Sequence, residues 1–272
     1  MNKKVDHAAQ LRDALDKLTS DAPAAAVLSN HARRKLERDI LEGIDRLTGL
    51  LNIIDPIQQP AAIFDPSDPR IIGRFVALAL VAQPRVPLAD VGRFYGSGVY
   101  AIYYRGPFEP YAPISGSETP LYVGQAAPEV GGARTPREQG AKLIGRLGDH
   151  RKNITKAIAT IDIADFDCRT LVVQSGWETP AEDFLIDLFK PIWNKETGPV
   201  YGIGKHGDAS TTRGNTKSPW DTMHEARAWA DTVDRKSRAE IEAALVEHFA
   251  NVPTFATNED VLKHFVAGLR QA

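Results

Sequence analysis

Apolar residues recur every three or four positions in the first part of the chain, a spacing that predicts amphipathic helices over 5–19 and 31–52. The stripe of the second helix comprises Leu36, Ile40, Ile44, Leu47 and Leu51. Residues 55–70 contain four prolines and are expected to form an extended arm or loop, and 71–82 a short apolar helix. Residues 1–94 are therefore predicted to be a helical region with a proline-rich arm.

The middle of the chain has runs of β-branched and aromatic residues instead, which predict strands. SGVYAIYYRG at 97–106 is the first strand, LYV at 121–123 the second and CRTLVVQS at 168–175 the third. Helical patterns lie between and after these strands, at 136–159, 180–190, 218–233, 236–249 and 258–270.

The predicted fold class is α+β, with a small three-stranded antiparallel sheet flanked by helices and with helical N- and C-terminal additions. Residues 95–200 form the predicted core, and 201–272 a glycine-rich polar loop and a helical C-terminal region. We expect a helix break near Gly148. Ser218, ahead of Pro219, has the position of an N-cap.

The formal net charge of −2 over 272 residues does not by itself indicate a nucleic-acid partner. Charge is nevertheless concentrated locally, because residues 134–156 contain seven Lys or Arg and only two acidic residues. Such a stretch suits a surface that faces phosphates, with Lys142 and Arg151 among the candidates. The alternative is a solvated helix face, which is common for basic stretches.

Other features of the sequence favour the cytoplasm. Cys168 is the single cysteine, so no internal disulfide can form. No run of 18 apolar residues predicts a membrane span, and no apolar stretch follows the N-terminal lysines as in a secretory signal.

Two tripeptides and four polar residues occur in an informative order. GVY stands at 98–100 and YVG at 122–124, and the residues that follow are Arg146, His150, Glu182 and Asn194. Either tripeptide alone is ordinary strand sequence. Arg146 and His150 are four residues apart and therefore share one helix face.

This ordered set resembles the GIY-YIG nuclease superfamily over roughly residues 95–200. GKHG at 204–207 and SPWDTMHEARAW at 218–229 resemble the continuation found in its restriction-enzyme branch, which includes enzymes that cut CCGCGG. Valine replaces isoleucine in both name motifs, and the gap between them is longer than in compact members. The C-terminal 70-odd residues contain no motif that we can place.

The resemblance implies a type II restriction endonuclease that hydrolyses DNA phosphodiester bonds at a short palindromic, GC-rich site. It implies one Mg²⁺ per active site, for which Mn²⁺ can substitute. The implied partners are double-stranded DNA, a second copy of the chain in a homodimer, and a cognate DNA methyltransferase of the same system.

The resemblance also assigns roles to the acidic and basic site residues. Glu182 would supply a hard oxygen ligand to Mg²⁺, with water and phosphate completing the shell. Arg146 would form two parallel hydrogen bonds to phosphate oxygens and offset developing charge.

The remaining site residues would transfer protons or position the water and the phosphate. Tyr100 would take a proton from water once Arg146, the metal and His150 lower its pKa. His150, whose ordinary pKa is near 7, would relay the proton or orient Tyr100. Tyr122 would position the water or the phosphate, and Asn194 would hold a strand end or the site's hydrogen-bond network. Whether Tyr100 or His150 is the immediate base stays open.

A purely structural role is the alternative for each of these residues. Thr179-x-x-Glu182 matches a capping box, in which Glu182 only closes a helix N-terminus. Against this, Glu182 shares a helix face with apolar residues, where a carboxylate needs a partner.

The glycine-rich loop at 201–217 is a candidate for reading the DNA sequence. Its polar residues are Lys205, His206, Arg213, Asn215 and Lys217. Arg213 could read guanine, while Asn215 or the lysines hold phosphates. The alternative is a solvent-facing surface loop.

Three other functions compete with a restriction enzyme. A repair or homing endonuclease usually carries an additional DNA-binding module, and none is recognisable here. A DNA-binding protein with an inactive nuclease fold is disfavoured because every expected catalytic residue type is present. A hydrolase that uses His150 and Glu182 on another substrate lacks a nucleophile motif such as G-x-S-x-G.

Overall fold

The computed structural model describes residues 6–21, 30–54, 65, 67–204, 217–225, 227 and 236–269. The chain divides into two compact units, Met1–Ile63 and Phe64–Ala272. The predicted divisions at 94–95 and 200–201 stay predictions. No helix in the described ranges is long and apolar enough to cross a membrane.

The first unit contains two helices among its described residues, α1 (His7–Asp21) and α2 (Asn30–Ile54). Both begin and end within two residues of the predicted bounds. The apolar stripe predicted on α2 is largely open to solvent, since Ile40 is 41% exposed and Ile44 54%.

The second unit begins with α3 (Pro69–Val81), whose N-cap Asp68 accepts a 2.8 Å hydrogen bond from the backbone nitrogen of Arg70. The helix therefore starts inside the segment predicted as an arm. The reason is the combination of an Asp N-cap with a proline in the first turn, which initiates a helix as readily as it ends one. Residues 55–64 of the predicted arm lie outside the described ranges.

The sheet has four antiparallel strands rather than the predicted three. In spatial order they are β1 (Val86–Pro87), β4 (Phe166–Val172), β2 (Gly98–Tyr104) and β3 (Tyr122–Ala126). The additional strand β1 pairs with the outer side of β4. Its two residues give no strand pattern, and Pro87 is tolerated there because an edge strand can leave one side of its backbone unpaired.

The central strand β2 is buried along its whole length, so its side chains enter two separate cores. Val99, Ala101 and Tyr103 pack on one face of the sheet, together with α3 and α6 (Glu178–Phe189). The intervening residues Tyr100 and Ile102, together with Tyr104, pack on the opposite face. Leu143, Leu147 and Ile154 join them in the core on that face.

The helical stretch predicted over 136–159 is divided, but not at Gly148. It comprises α4 (Pro136–Gln139) and α5 (Lys142–Lys156), and α5 continues through Gly148. The break lies at Gly140, whose φ of 77° favours glycine. A glycine inside a helix costs only about 0.5–1 kcal/mol, so Gly148 alone does not interrupt α5.

The C-terminal region contains α7 (Pro219–His224), α8 (Arg238–Asn251) and α9 (Asn258–Leu269). Ser218 caps α7 as predicted, in a reciprocal capping box with Asp221. However, α7 ends far short of the predicted residue 233, because Glu225 adopts a left-handed conformation with φ of 49°.

Candidate active site

A cleft of about 830 Å³ opens beside β2 and β3, between α5 and α6. All six predicted catalytic residues line it, namely Tyr100, Tyr122, Arg146, His150, Glu182 and Asn194. They come from β2, β3, α5, α6 and the segment after α6. The fold therefore brings together residues that are up to 94 positions apart in the sequence.

The two motif tyrosines meet because β2 and β3 are adjacent and antiparallel. Tyr100 lies opposite Gly124 and diagonally from Tyr122, with 6.0 Å between the two ring centroids. A Cβ at Gly124 would lie 2.6 Å from the Tyr100 hydroxyl oxygen. The glycine of YVG thus makes room for the phenol of GVY.

The glycine of the first motif has a different role. Gly98 has a φ of 151°, and a Cβ there would lie 2.1 Å from the carbonyl oxygen of Leu171 on β4. Any side chain at this position would push β2 and β4 apart. Gly98 therefore allows the strand bearing Tyr100 to pair closely with its neighbour.

His150 contacts both tyrosines. Its Nε2 lies 2.8 Å from the Tyr100 hydroxyl oxygen, and its ring centroid lies 4.8 Å from that of Tyr122. Burial, and secondarily the positive charge of Arg146, lowers the pKa of His150 to about 4. The expected pKa near 7 was therefore wrong, because the sequence does not show that the imidazole is buried. His150 is neutral at pH 7.

The environment of Tyr100 also differs from expectation. Burial and the neighbouring Tyr122 hold the pKa of Tyr100 well above its ordinary value, and Arg146 opposes this only in part. The expected phenolate is thus not favoured in the protein alone. The pKa of Tyr122 is likewise raised, first by burial and then by the charge of Glu182.

Glu182 is not a helix cap. The helix α6 begins at Glu178 with Trp177 as N-cap, so Glu182 lies in its second turn and faces the cleft. The capping-box alternative is therefore wrong. Thr179, its supposed partner, instead accepts a 3.2 Å hydrogen bond from the Gln125 side chain.

The surroundings of Glu182 fit a cation. Burial first, then the charges of Asp183 and Glu196, raise the pKa of Glu182 to about 7, while hydrogen bonding from Gln125 opposes the rise. A carboxylate destabilised in this way is relieved by a proton or by a metal ion. Among the described residues no group of three or more His, Cys, Asp or Glu could enclose a metal. The donor set suits a hard cation that keeps several water or phosphate ligands.

Asn194 holds the outer strand of the site. Its Oδ1 accepts a 3.0 Å hydrogen bond from the backbone nitrogen of Val123, and its Nδ2 donates at 2.9 Å to the carbonyl oxygen of the same residue. Val123 stands between the motif residues Tyr122 and Gly124. The amide therefore fixes β3, and with it the position of Tyr122.

Several further residues line the cleft, and of these the sequence had indicated only Lys152 and Lys156, as members of the basic stretch at 134–156. These further residues are Gln125, Asp149, Lys152, Asn153, Lys156, Asp183, Lys195, Glu196 and Tyr201. The α5 residues could have been found, because they recur at helical spacing after Arg146 and His150. Lys195 and Glu196 lie in a turn, where no periodic signal indicates the direction of a side chain.

The predicted DNA-contacting residues are dispersed. Lys142 is exposed at the start of α5, outside the lining of the cleft. Arg151 donates to the carbonyl oxygen of Ala89 at 3.3 Å, and Lys217 lies half-buried before the N-cap of α7. The predicted residues Lys205, His206, Arg213 and Asn215 lie outside the described ranges. Their contacts with DNA stay predictions.

Comparison with known families agrees with this geometry. The family model described as the Eco29kI GIY-YIG domain matches residues 92–249, or 158 of the 272 residues. The chain belongs to the Eco29kI GIY-YIG family. Eco29kI is a restriction endonuclease, and the matched GIY-YIG region contains the sheet from β2 onward and all six cleft residues named above. A search among curated proteins found no match.

Proposed function

We propose that the protein is a type II restriction endonuclease that uses one Mg²⁺ per active site to cut both strands of a short palindromic, GC-rich DNA site. The convergence of the six predicted residues in one open cleft carries this proposal. Membership of the Eco29kI GIY-YIG family supports the class of enzyme. A homodimer and a cognate methyltransferase belong to the same proposal.

The paired phenol and imidazole can accept the proton that the attacking water must lose. With its ring hydrogen on Nδ1, neutral His150 accepts a hydrogen bond at Nε2 from the Tyr100 hydroxyl. As the Tyr100 oxygen takes a proton from water, its own proton passes to Nε2. The step yields hydroxide, an intact phenol and an imidazolium.

This transfer is unfavourable in the empty cleft, because burial and Arg146 both lower the pKa of His150. A DNA phosphate adds negative charge beside Arg146 and so raises the affinity of His150 for the proton. Arg146 can bind the scissile phosphate with two hydrogen bonds, and Asn194 keeps Tyr122 in place through β3. Proton acceptance thus becomes coupled to the presence of substrate.

Glu182 would hold the cation. A divalent ion bound there would neutralise charge on the phosphate and stabilise the leaving 3′-oxygen. The raised pKa of Glu182 supports this role, because a cation relieves the repulsion from Asp183 and Glu196 that otherwise favours protonation.

The decisive experiment is digestion of a plasmid of known sequence by the purified full-length protein with Mg²⁺, followed by sequencing of the ends. We expect discrete fragments whose ends share one short palindrome. The Glu182→Gln variant, purified in parallel, controls for contaminating nucleases and should give none. Random ends, or equal cutting by the variant, would contradict the proposal.

A further inference from the structure

The cleft continues along α5 beyond the residues assigned to chemistry. Asn153 and Lys156 follow Arg146 and His150 at steps of three or four positions, and Lys152 lies beside them. All of these residues line the same cleft. The ten positions from Arg146 to Lys156 span about 15 Å of helix, which matches the rise of roughly four nucleotides of one DNA strand.

Charge is divided between the two helices that border the cleft. The α5 side has Arg146, Lys152 and Lys156, with Asp149 as the one acidic residue of α5 in the lining. The α6 side has Glu182 and Asp183. An anionic backbone is therefore attracted to α5, while a cation is attracted to α6.

The two lysines are available for a ligand. Lys152 lies 3.5 Å from Asp149, but both side chains are mostly exposed, at 74% and 62%, so this ion pair is weak. Lys156 is exposed and has no ion pair among the described residues. Binding a phosphate would therefore disrupt little existing structure.

The segment that lines the cleft beside the end of α5 is fixed by hydrogen bonds. Residues 201–204 line the cleft there, and Asn153 Nδ2 of α5 donates to the carbonyl oxygen of Ile203 at 3.0 Å. Arg227 Nη2 donates at 3.0 Å to the carbonyl oxygen of Gly202, and the guanidinium pairs with buried Asp221. The segment 201–204 is thus held in place against α5.

We infer that Lys152 and Lys156 bind the DNA phosphates that flank the scissile one, so that the cleaved strand runs along α5 from Arg146 towards the C-terminal end of the helix. This rests on the proposed function, which it makes specific by assigning the strand's path. Contacts to phosphates position DNA without reading its sequence. The two lysines are therefore binding residues and not determinants of specificity.

Another interpretation gives Lys156 only a structural role. A lysine in the last turn of a helix interacts favourably with the helix dipole without contacting any ligand. In that case its removal would lower the melting temperature and leave DNA binding unchanged. The two interpretations therefore differ in a measurable way.

The test measures binding of a fluorescein-labelled 40-base-pair duplex of random sequence across a salt series, in EDTA to prevent cutting. The variants are Lys152→Ala/Lys156→Ala, Lys156→Ala alone, and the control Lys236→Ala/Lys263→Ala. The control removes the same charge from exposed positions that do not line the cleft. Lys156→Ala alone breaks no ion pair among the described residues.

For the double lysine variant we expect about tenfold weaker binding and a slope of log Kd against log salt that is smaller by about 1.8, since each duplex phosphate contact contributes about 0.9. Lys156→Ala should lower the slope by about half as much. The control should behave as wild type. In cleavage assays the double variant should raise KM far more than it lowers kcat.

A salt slope equal to that of the control would overturn the inference, as would a fall in kcat with unchanged Kd. If the wild-type protein itself neither binds nor cuts DNA, the proposed function fails and the inference fails with it. If the wild-type protein cuts DNA at discrete sites but the lysine variants have the same salt slope as the control, the inference fails and the proposed function stands.

Discussion

At the scale of single residues, burial in the cleft favours the uncharged forms of three ionisable groups. His150 has a pKa lowered to about 4, Tyr100 has a pKa well above its ordinary value, and Glu182 has a pKa raised to about 7. Burial is the largest cause in all three cases. The site thus favours neutral groups until phosphate and cation bring compensating charge.

The negative charge of Glu182 should destabilise the folded protein at the pH at which that charge is needed to bind a cation. Its folded pKa of about 7 exceeds the ordinary value of 4.5, so the folded protein binds this proton more tightly than the unfolded chain. Stability from this group is fully present below about pH 4.5 and is lost as the pH rises through about 7. We predict that Glu182→Gln abolishes cleavage but raises the melting temperature at pH 8 without metal.

Melting curves in EDTA at pH 5 and pH 8 test this prediction. The gain over wild type should be smaller at pH 5, and Mg²⁺ should raise the melting temperature of the wild type only. DNA binding by the variant should persist. Cleavage within tenfold of wild type at limiting Mg²⁺ would reject Glu182 as the metal ligand.

We predict that Tyr100→Phe abolishes turnover while the protein stays folded. The change removes one oxygen but leaves Nε2 of buried His150 without its partner, which should cost about 1–3 kcal/mol of stability. Tyr103→Phe is the matched control. It lies on the opposite face of β2 and loses a 3.0 Å hydrogen bond to Arg169.

Single-turnover cleavage and melting temperature should be measured on both tyrosine variants. We expect a comparable loss of stability in each and a loss of turnover only in Tyr100→Phe. Normal turnover by Tyr100→Phe would move the role of base to His150 alone. Loss of turnover in both variants would make the effect structural.

At the scale of elements, Asn194 connects the segment after α6 to strand β3. We predict that Asn194→Asp destabilises the protein and slows cleavage, although the side chains are nearly isosteric. Aspartate can still accept from the backbone nitrogen of Val123, but it cannot donate to the carbonyl oxygen and places a charge against it.

Thermal unfolding and kcat measured at pH 8 check this prediction. Since the Asn194 side chain is hydrogen-bonded to β3 on both sides of its amide, we expect substrate KM to change less than kcat as Tyr122 shifts. An unchanged melting temperature combined with lost cleavage would instead indicate a direct contact between Asn194 and DNA.

The local sequence pattern predicted most helices and strands, but not the element bounds that depend on tertiary contacts. The strand at Gly98–Tyr104 and the helix at Glu178–Phe189 begin within two residues of expectation. The two-residue strand Val86–Pro87 was missed because it has no periodicity of its own. Likewise, the left-handed residue Glu225 gives no sequence signal for the end of α7.

In the candidate active site, too, local spacing was predictive, whereas properties that depend on residues distant in sequence were not. The four-residue spacing of Arg146 and His150 correctly predicted that they share one face of a helix. The pKa of His150 could not be predicted, because its burial depends on Tyr100 and Tyr122 from two strands distant in sequence. Glu196 was missed because it lies in a turn, where no periodic pattern indicates the direction of a side chain.

At the scale of the whole molecule, the proposed palindromic cut requires two active sites related by a two-fold axis, which a homodimer supplies most simply. The chain has a mass of 29.8 kDa, so light scattering should give about 60 kDa. Within the first unit, helix α2 exposes Ile40, Leu41 and Ile44 at 41%, 60% and 54%. Exposed apolar residues in a contiguous group are typical of an association surface.

We predict that Ile40→Lys/Ile44→Lys shifts the protein to a monomer of about half that mass and changes double-strand cutting into slow nicking. The single variant Glu42→Lys is the control, because it makes the same change in charge on the side of the helix that points away from Ile40, Leu41 and Ile44. Light scattering with and without DNA, and the ratio of nicked to linear plasmid, give the two readouts. A wild-type protein that remains monomeric at micromolar concentration on DNA would reject the dimer. A dimer that persists in the double variant would place the interface elsewhere than on α2.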